Sequence, residues 1–535
     1  MRSCLMLLMA SCVATAGSVE GTVTDSMTGE AVKRATVTLV SASLRARYIA
    51  GADDRGQFQF PAVEPASDYV VEARARGFAM PPETRQFLKD THPIAVTAQE
   101  SVKGVAVKLV PLCAINGRVT DADGEPVRGV SIQALQYQYR GSGRRLDSRA
   151  SAITDANGQY RLYFLQPGRY LVRAYLHETP PGPAEPSPHV HNFIPAEGFV
   201  TAYYPGAPEA AGGAIVELKP AADLNGYDFR LARAPAYHVR GRVEGAQAKT
   251  SVVLAPCATP SMDFGFTFSA SFFPNGTFDA RGVTAGQYCL GVSHSGGRLM
   301  TADAQVNVRD SDVNGVVLAA PASANVQGAV QMDPSQAERP KKMAVMLGDL
   351  NTPGLLVGVG QVQDDGTFSM RNVPAGPANL SVSGRPSATY LKSFRFAGHD
   401  APGFEVPRTG GTLTLVIGTD AGQVSGKVQD QDGNPGDHML VTLAPKGDLA
   451  SRTDLIQTAA TADDGSFQMT GVAPGDYNVF AWETLDQDAA RAPDFLKLFE
   501  AKASPVSVQG ANQASVQLKA VRAQEMEEAT WKPQQ

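Results

Sequence analysis

The eight histidines are the residues of this chain whose chemistry can be checked completely. A catalytic zinc ion takes three protein ligands and leaves one position open, and its usual signatures are His-x-x-Glu or His-Glu-x-x-His. No histidine is followed by Glu three residues later, and His177-Glu178 is followed by Thr179 and two prolines. We find no Gly-x-Ser-x-Gly, phosphate-loop or dinucleotide-binding glycine motif either. The sequence therefore predicts no catalytic residue, no cofactor and no enzymatic activity.

Two turns rich in aspartate raise calcium binding as an alternative. Asp121-Ala122-Asp123-Gly124 and Asp430-Gln431-Asp432-Gly433 resemble the start of an EF-hand loop. That loop ends in a bidentate Glu at position twelve, which here is Ile132 in the first turn and Val441 in the second. We therefore predict hairpin turns whose aspartates bond to their own backbone, and no metal site.

An insertion at residues 177–215 combines prolines, histidines and aromatic residues. His189 and His191 alternate, so both could lie on one strand face and bind a metal, but in a long polar loop we predict solvated histidines. Sugars are often bound by stacking on exposed rings. We predict a ligand-binding surface on and beside this insertion, formed by Tyr137, Tyr139, Phe199, Tyr203 and Tyr204. The alternative is a cross-strand aromatic patch that covers the core.

The N-terminus reads as an export signal. Arg2 precedes a short apolar run, and Ala14-Thr15-Ala16 is a small-residue cleavage site, so residues 1–16 are predicted to be removed by the Sec pathway. The alternative is a lipoprotein, with Cys12 as the lipidated residue. The apolar run is far shorter than the ~20 residues of a membrane-spanning helix, so no transmembrane span is expected. The predicted location is the periplasm, the outer-membrane surface or the medium.

Three cysteines remain outside the signal. Export makes disulfides possible, and Cys257 and Cys289 fall within one predicted domain, so they form a candidate pair. The alternative is two buried thiols. Cys113 would then have no partner. None of the three cysteines has the Cys-x-x-Cys spacing of a zinc or redox site.

A sequence motif that recurs five times predicts the strands and turns that carry these residues. Each copy has a glycine followed two residues later by an aromatic residue, as in Asn157-Gly158-Gln159-Tyr160. The glycine supplies the positive φ of a hairpin turn, and the alternating residues after it are typical of a half-buried strand. The predicted turn glycines are Gly56, Gly158, Gly276, Gly366 and Gly465.

Each phrase lies within a longer unit of short strands. A first strand with a central glycine precedes it, a turn that in most copies is followed by tyrosine comes after it, and a short apolar strand closes the unit. About seven strands with turns every 8–12 residues predict a β-sandwich. The fold class is therefore all-β, with about five prealbumin/Ig-like sandwiches and one short helix near the C-terminus. The predicted ranges are 17–110, 111–235, 236–321, 322–419 and 420–520, with the helix at about 486–502 and a loose polar tail at 521–535.

These phrases resemble the carboxypeptidase regulatory-like domain, whose relatives include transthyretin-like domains and collagen-adhesin B-repeats. The resemblance is strongest in residues 113–175 and 422–480. It implies a prealbumin-like sandwich without chemistry of its own, of a kind grouped with carbohydrate-binding-like folds. Such domains are found in secreted enzymes, outer-membrane receptors and surface stalks.

The functional expectation is an exported, non-enzymatic protein that acts as a cell-envelope scaffold or adhesion stalk. Short linkers predict an elongated, semi-rigid array of domains. The alternatives are a polysaccharide-binding protein that uses the second domain, and an accessory subunit of a separate enzyme or outer-membrane transporter. The partner is expected to be a polysaccharide or another envelope protein. With 47 basic and 53 acidic residues the chain lacks the basic excess of a nucleic-acid binder, so no nucleic acid is expected.

Overall fold

The structure is a computed structural model, and it describes most of the chain. The described residues are 16–41, 43–80, 94–98, 100–140, 143–176, 197–246, 250–257, 268–294, 298–319, 323–334, 342–349, 356–386, 388–396, 399–400, 404–437 and 439–532. Strands dominate, and they form five β-sandwiches in tandem, which confirms the predicted fold class. The chain divides into two compact units, of which unit 1 holds residues 1–113, 164–168 and 218–222 and unit 2 holds the rest.

Sandwich 1 has two four-stranded sheets, in the orders β4-β1-β8-β6 and β3-β2-β5-β7. Its strands are β1 (Gly17–Asp25), β2 (Thr36–Ser41), β3 (Ala46–Gly51), β4 (Gln57–Val63), β5 (Ala66–Arg74), β6 (Phe78–Ala79), β7 (Ile94–Val96) and β8 (Ser101–Pro111). Alternate residues of β4 are buried, as the period-two pattern predicts, and Phe58 and Phe60 enter the core between the sheets.

Sandwich 2 has one sheet in the order β11-β10-β13-β15, with β16 beside β13, and another in the order β12-β9-β17, with β18 beside β9. Its strands are β9 (Cys113–Thr120), β10 (Ser131–Arg140), β11 (Gly143–Ile153), β12 (Gln159–Leu165), β13 (Gly168–Tyr175), β14 (Glu197–Phe199), β15 (Ala202–Tyr203), β16 (Val216–Leu218), β17 (Asp223–Leu224) and β18 (Phe229–Arg230). A 3-10 turn spans Ala210–Gly212.

Sandwich 3 is one continuous sheet in the order β14-β19-β22-β21-β20-β23-β24, with β25 beside β19. Its strands are β19 (Arg233–Glu244), β20 (Ser251–Pro256), β21 (Phe268–Phe272), β22 (Thr277–Thr284), β23 (Gly286–His294), β24 (Arg298–Val308) and β25 (Val313–Ala319). The strand at its edge, β14, comes from the insertion in the preceding sandwich, so sandwiches 2 and 3 share a sheet.

Sandwich 4 pairs a sheet in the order β29-β26-β34-β31-β32 with a sheet in the order β28-β27-β30-β33. Its strands are β26 (Ser323–Asp333), β27 (Ala344–Asp349), β28 (Leu356–Gln361), β29 (Thr367–Pro374), β30 (Gly376–Ser383), β31 (Tyr390–Phe396), β32 (His399–Asp400), β33 (Phe404–Val406) and β34 (Gly411–Gly418). Arg452 of the next sandwich donates to the carbonyls of Leu391 and Lys392, which ties sandwiches 4 and 5 together.

Sandwich 5 has sheets in the orders β38-β35-β41 and β37-β36-β39-β40. Its elements are β35 (Gly422–Gln429), β36 (Leu440–Pro445), β37 (Gln457–Ala460), β38 (Ser466–Val472), β39 (Gly475–Trp482), α1 (Gln487–Ala490), α2 (Pro493–Leu498), β40 (Ser504–Val508), β41 (Gln513–Lys519) and α3 (Ala523–Trp531), with 3-10 turns at Gly447–Leu449, Thr453–Leu455 and Glu500–Lys502. The predicted helix is thus two short helices, and Phe495 and Phe499 pack on Trp482 as expected. The tail expected to be loose forms α3 instead.

One contact explains why a glycine and an aromatic residue recur in every copy. In each sandwich the glycine of the first strand lies under the ring that follows the turn. The pairs are Gly21 with Phe58, Gly117 with Tyr160, Gly241 with Phe278, Gly328 with Phe368, and Gly426 with Phe467. A methyl group at any of these glycines would lie only 2.0 to 2.1 Å from a backbone carbonyl oxygen of the closing segment. The ring therefore covers a stretch of backbone that only glycine can provide.

The turn glycines have the conformation that the sequence predicts. Gly56, Gly158, Gly276, Gly366 and Gly465 all have φ between 71° and 87°, in the left-handed region that favours glycine. This explains why the same residue recurs at the same place in each copy.

A second left-handed position follows six residues after the turn glycine in sandwiches 2 to 5. Gly282, Asn372 and Gly471 have φ of 73°, 54° and 69°, and the ladder shifts register beside each of them, as at a β-bulge. Sandwich 2 places Phe164 here, with φ of 62° and 64% of the residue exposed. Glycine and asparagine tolerate this backbone, whereas for a bulky residue it is strained.

Candidate functional site

Tyr137 and Tyr139 lie on one face of β10, as predicted, but that face is covered. Tyr139 is 3% exposed, and its ring centroid lies 5.1 Å from that of Phe495 in α2. The ring of Tyr137 lies 5.1 Å from that of Trp531 in α3. Both contacts are edge-to-face, the arrangement that aromatic pairs favour. The helices of sandwich 5 therefore occupy the face on which we expected a ligand.

An arginine completes this contact between sandwiches 2 and 5. Arg144 lies at the start of β11 with its guanidinium carbon 4.3 Å from the centre of the Tyr137 ring. Its Nη1 donates to the carbonyl oxygens of Thr530 at 2.9 Å and Lys532 at 2.5 Å, which are acceptors left open at the end of α3. We call this set of contacts, from Tyr137, Tyr139 and Arg144 to Phe495 and Trp531, the interlock. Sandwiches 2 and 5, which are not neighbours in sequence, are therefore in contact within unit 2.

The other three predicted rings lie in two different places. Phe199 is in β14, on the sheet of sandwich 3, and is 8% exposed beneath the guanidinium of Arg233. Tyr203 is 4% exposed among the leucines of sandwich 2, and Tyr204 packs on Tyr227 with 4.8 Å between ring centroids. This corrects the expected exposure: the five rings form no single open surface, because packing within and between sandwiches uses them. Ligand binding by these residues stays a prediction.

An open cleft of about 860 Å³ lies elsewhere on sandwich 2, beside the outward face of β9 and β12, and it is bounded by the end of β11 and residues 225–228. Its lining includes Arg118, Ile153, Arg161 and Tyr163. Arg161 and Tyr163 share the exposed face of β12, whereas the alternate residues Tyr160 and Leu162 point into the core. Ile153 is 69% exposed and Tyr163 is 52% exposed.

Polar groups in the cleft hold one another in place. Arg161 forms a two-point ion pair with Asp223, at 3.0 and 3.2 Å, and donates to Asn116 at 2.8 Å. The hydrogen bonds that Asp223 accepts from Arg161 and, second, from the amide of Asn116 keep its pKa below the usual value. Arg118 donates its backbone N–H to Asp228 and its side chain to the carbonyl of Asn157. The cleft thus presents fixed planar groups beside an exposed ring.

No prediction from the sequence pointed to this cleft, because Tyr163 fits the alternating pattern of an ordinary strand. A comparison of the five copies would have singled out Tyr163. Five residues after the turn glycine, the other sandwiches have Pro61, Arg281, Arg371 and Thr470. Sandwich 2 alone has an aromatic residue at this position.

The aspartate turns are hairpins, as predicted. Asp121 accepts hydrogen bonds from the backbone N–H groups of Asp123 and Glu125 at 2.9 and 3.0 Å. Asp430 accepts the equivalent bonds from Asp432 and Asn434. Among the described residues, no three His, Cys, Asp or Glu side chains are grouped so that they could hold a metal ion. His177, His189 and His191 lie outside the described residues, as do Cys12 and almost all of the predicted signal.

The structure joins Cys257 and Cys289 by a disulfide, with 5.0 Å between their Cα atoms. They lie on sandwich 3, where Cys289 follows the turn in β23. Cys113 is a buried thiol, and burial raises its pKa. Its Sγ donates to the carbonyl oxygen of Lys219 at 3.1 Å. A thiol in such a place is a structural rather than a reactive group.

A buried histidine of sandwich 3 pairs with a carboxylate. His238 Nδ1 lies 2.8 Å from Asp279 Oδ1, and both residues are less than 9% exposed. Arg281 and Arg240 lie 2.9 and 3.4 Å from the same carboxylate. Two guanidinium groups therefore balance Asp279, and the set joins β19 to β22 as a structural network.

Tandem prealbumin-like sandwiches, closed by an aromatic ring over a strand glycine, define the class of protein. Residues 18–103 and 114–182 match the model of the carboxypeptidase regulatory-like domain. Sandwiches 1 and 2 thus each contain a segment that matches the carboxypeptidase regulatory-like domain, as the motifs predicted.

Several solved structures are similar to parts of the chain. The TIE protein of Bacillus anthracis is 10% identical over 76% of this chain and 73% of its own, with a TM-score of 0.17. GBS52, the minor pilin of Streptococcus agalactiae, is 11% identical over 41% and 97%, with a TM-score of 0.21. The shaft pilin SpaA of Lactobacillus rhamnosus GG is 12% identical over 41% and 98%, with a TM-score of 0.20. Similarity at this level establishes no shared function.

A comparison with curated proteins gives no match. In the part of the chain that the structure describes, no helix has the length and apolar character needed to cross a membrane.

Proposed function

We propose that this chain is an exported, non-catalytic scaffold of the cell envelope, in which the sandwiches of unit 2 present binding surfaces in a fixed arrangement. The observation that supports it is the interlock, in which α2 and α3 of sandwich 5 are held by sandwich 2. A chain that only had to span a distance would gain nothing from such a contact between sandwiches 2 and 5. A scaffold gains from it, because side-by-side sandwiches keep their surfaces in register.

Other contacts in unit 2 support the same proposal. β14 extends the sheet of sandwich 3 with a strand from sandwich 2, and the Arg452 guanidinium holds two carbonyl groups of sandwich 4 from sandwich 5. Its side chain is 15% exposed and also pairs with Asp454. These are contacts between sandwiches rather than flexible linkers. They favour a scaffold over an adhesion stalk whose domains touch only end to end.

The proposed partner is an envelope polysaccharide or another envelope protein. As an accessory subunit, the chain would instead hold a separate enzyme or transporter. Both roles need export and neither needs a catalytic group in this chain.

Hydrogen exchange on the full chain tests the interlock. In Arg144→Ala, α3 loses the donor to the carbonyl groups of Thr530 and Lys532 and the cation over Tyr137, so we expect its amides to exchange at least about tenfold faster. Amides of β39, in the core of sandwich 5, should be unchanged. Arg242→Ala is the matched control, because that arginine pairs on the surface of sandwich 3 with Glu244. Equal exchange of α3 in Arg144→Ala and the native chain would remove the support for a scaffold.

Cell fractionation tests export. The tagged full chain, expressed in a bacterium with a Sec pathway, should be found outside the cytoplasm, with its mature N-terminus at Gly17 or at a lipidated Cys12. N-terminal sequencing and intact mass distinguish these two outcomes. An unprocessed chain that stays in the cytoplasm would contradict the proposal.

A further inference from the structure

We propose that the cleft on the outward face of β9 and β12 binds a neutral glycan chain, with the ring of Tyr163 as its stacking surface. The site differs from the aromatic set that the sequence predicted, and it goes beyond the scaffold role. It also involves no interlock residue, so it would stand even if the interlock proved dispensable.

The five copies act as internal controls for this inference. Their common positions show what the sandwich itself requires, and the cleft departs from them. Five residues before the turn glycine, where sandwich 2 has Ile153, the other copies have Gly51, Ser271, Gln361 and Ala460. Ile153 and Tyr163 are both more than half exposed, so neither serves the core of the sandwich. What distinguishes sandwich 2 is that two exposed apolar side chains line the same cleft, and from this we infer a ligand.

The charges around the cleft favour a neutral ligand. Arg118 and Arg161 line the cleft together with the carboxylates of Asp155 and Asp228, and Arg161 also pairs with Asp223, so there is no excess of positive charge. The carboxylates are also engaged: Asp155 accepts the backbone N–H groups of Asn157 and Gln159. A phosphate or a polyanion would have to displace these bonds and would meet the remaining aspartates.

The polar groups fit the hydroxyl groups of a sugar. Asn116, Arg161 and Asp223 are planar, and their mutual hydrogen bonds fix them before a ligand arrives. More than half of the Arg161 and Asp223 side chains is nevertheless exposed, which leaves donors and acceptors open to a second partner. A sugar ring offers vicinal hydroxyl groups to such planar groups and a C–H face to an aromatic ring. The volume of about 860 Å³ is within the range of small-molecule sites.

An extended peptide is the competing ligand. β12 is the last strand of its sheet in the described part of the chain, so a peptide could pair with its edge. Pairing of that kind uses backbone groups at the edge, whereas the features that distinguish this cleft are side chains on the outward face. The observations therefore favour the glycan.

Calorimetric titration of the full chain tests the inference. The probes are four neutral hexasaccharides (of β-glucan, xylan, mannan and chitin), the anionic hexagalacturonate, and a library of extended peptides. We expect at least one neutral hexasaccharide to bind. Tyr163→Ala should weaken that binding at least about tenfold, and Tyr163→Phe should retain it, because the ring face does the stacking. Arg371→Ala, at the equivalent exposed position of sandwich 4, should bind like the native chain.

Three results would overturn the inference. One is that none of the neutral hexasaccharides binds, the second is that hexagalacturonate or peptides alone bind, and the third is that Tyr163→Ala binds as tightly as the native chain. A circular dichroism melt of each variant confirms that it is folded. Because Tyr163 is more than half exposed, Tyr163→Ala is expected to fold normally.

Discussion

Gly21→Ala should be among the most damaging single-methyl changes that this protein allows. The glycine lies in the middle of β1, and the backbone has no space for a side chain. An added Cβ would lie 2.1 Å from the carbonyl oxygen of Val105 in β8 and 2.5 Å from the Phe58 ring. The ring can move, but the carbonyl belongs to a strand that pairs in parallel with β1 from Gly21 to Asp25, just after a register shift.

The expected loss of stability in Gly21→Ala follows from the overlap of the added Cβ with the Val105 carbonyl oxygen. Relief of a contact more than 1 Å too short requires β1 and β8 to separate, which loses ladder hydrogen bonds and loosens the core. We expect a loss of about 3 kcal/mol or more in the stability of sandwich 1. Gly51→Ala, in β3 of the same sandwich, is the matched control, because its Cβ would meet nothing within 4 Å. It should be neutral or stabilise by about 0.5 kcal/mol, since glycine costs entropy in a strand.

Hydrogen exchange measured by mass spectrometry on the full chain gives the local free energy of opening for peptides of β1 and β8. The two variants add the same methyl group, so a difference between them isolates the steric effect. If Gly21→Ala opened within 0.5 kcal/mol of Gly51→Ala, the explanation of the recurring glycine by ring and carbonyl contact would be wrong.

Three further predictions concern the other special positions. Phe164→Gly relieves a left-handed backbone at an exposed residue, so it should raise the local opening free energy of β12 by about 1 kcal/mol; a decrease would show that the side chain matters for packing. Hydrogen bonds from Ser466 lower the pKa of Asp464 to about 2. Its contribution to stability is therefore present above the ordinary pKa of about 4 and is lost as pH falls toward 2, so Asp464→Asn should be less stable than the native chain at pH 6 and equally stable at pH 2 in urea titrations. The disulfide between Cys257 and Cys289 closes a loop with a separation of 32 residues, so the double serine variant should lose about 3–4 kcal/mol, seen as faster exchange confined to sandwich 3.

The repeating parts of the fold could be predicted because their causes are local. A glycine with positive φ and a strand with period two depend on a few consecutive residues, so Gly158 and Tyr160 carry the same information in isolation as in the folded protein. The sequence also indicates that the strand glycine and the aromatic ring belong together, since both residues recur in every copy. The family followed from the same phrases.

The interlock could not be predicted, because its partners lie more than 350 residues apart. Nothing near Tyr139 in the sequence points to Phe495, and the polar sequence of α3 buries a single residue, Met526, along its length. Tyr137 and Tyr139, which suggested an open ligand surface, therefore proved to be contacts between sandwiches. The exposure of a side chain depends on the folded chain. An aromatic residue in the sequence is therefore equally consistent with an open ligand surface and with a buried contact between sandwiches.

The cleft on sandwich 2 could be predicted from the sequence only in part. Its residues follow the strand pattern, so no single position stands out in a reading of sandwich 2 alone. An alignment of the five copies distinguishes the residues that every sandwich shares from those found in sandwich 2 alone. Tyr163 is one of the residues that only sandwich 2 has. The network of Arg161 with Asp223 depends on the return of the chain to β9 after the insertion, which the sequence does not specify.

The parallel pairing of first and last strands has a mechanical consequence. In sandwiches 1, 3, 4 and 5 the chain enters on a strand that lies parallel to the strand on which it leaves. A pull on the two ends of such a sandwich slides the strands past each other, so every bond of the ladder carries load at once. An antiparallel pair pulled from one end would instead open one bond at a time. Each of these sandwiches is thus built to resist tension in shear, whatever surface it presents to a partner.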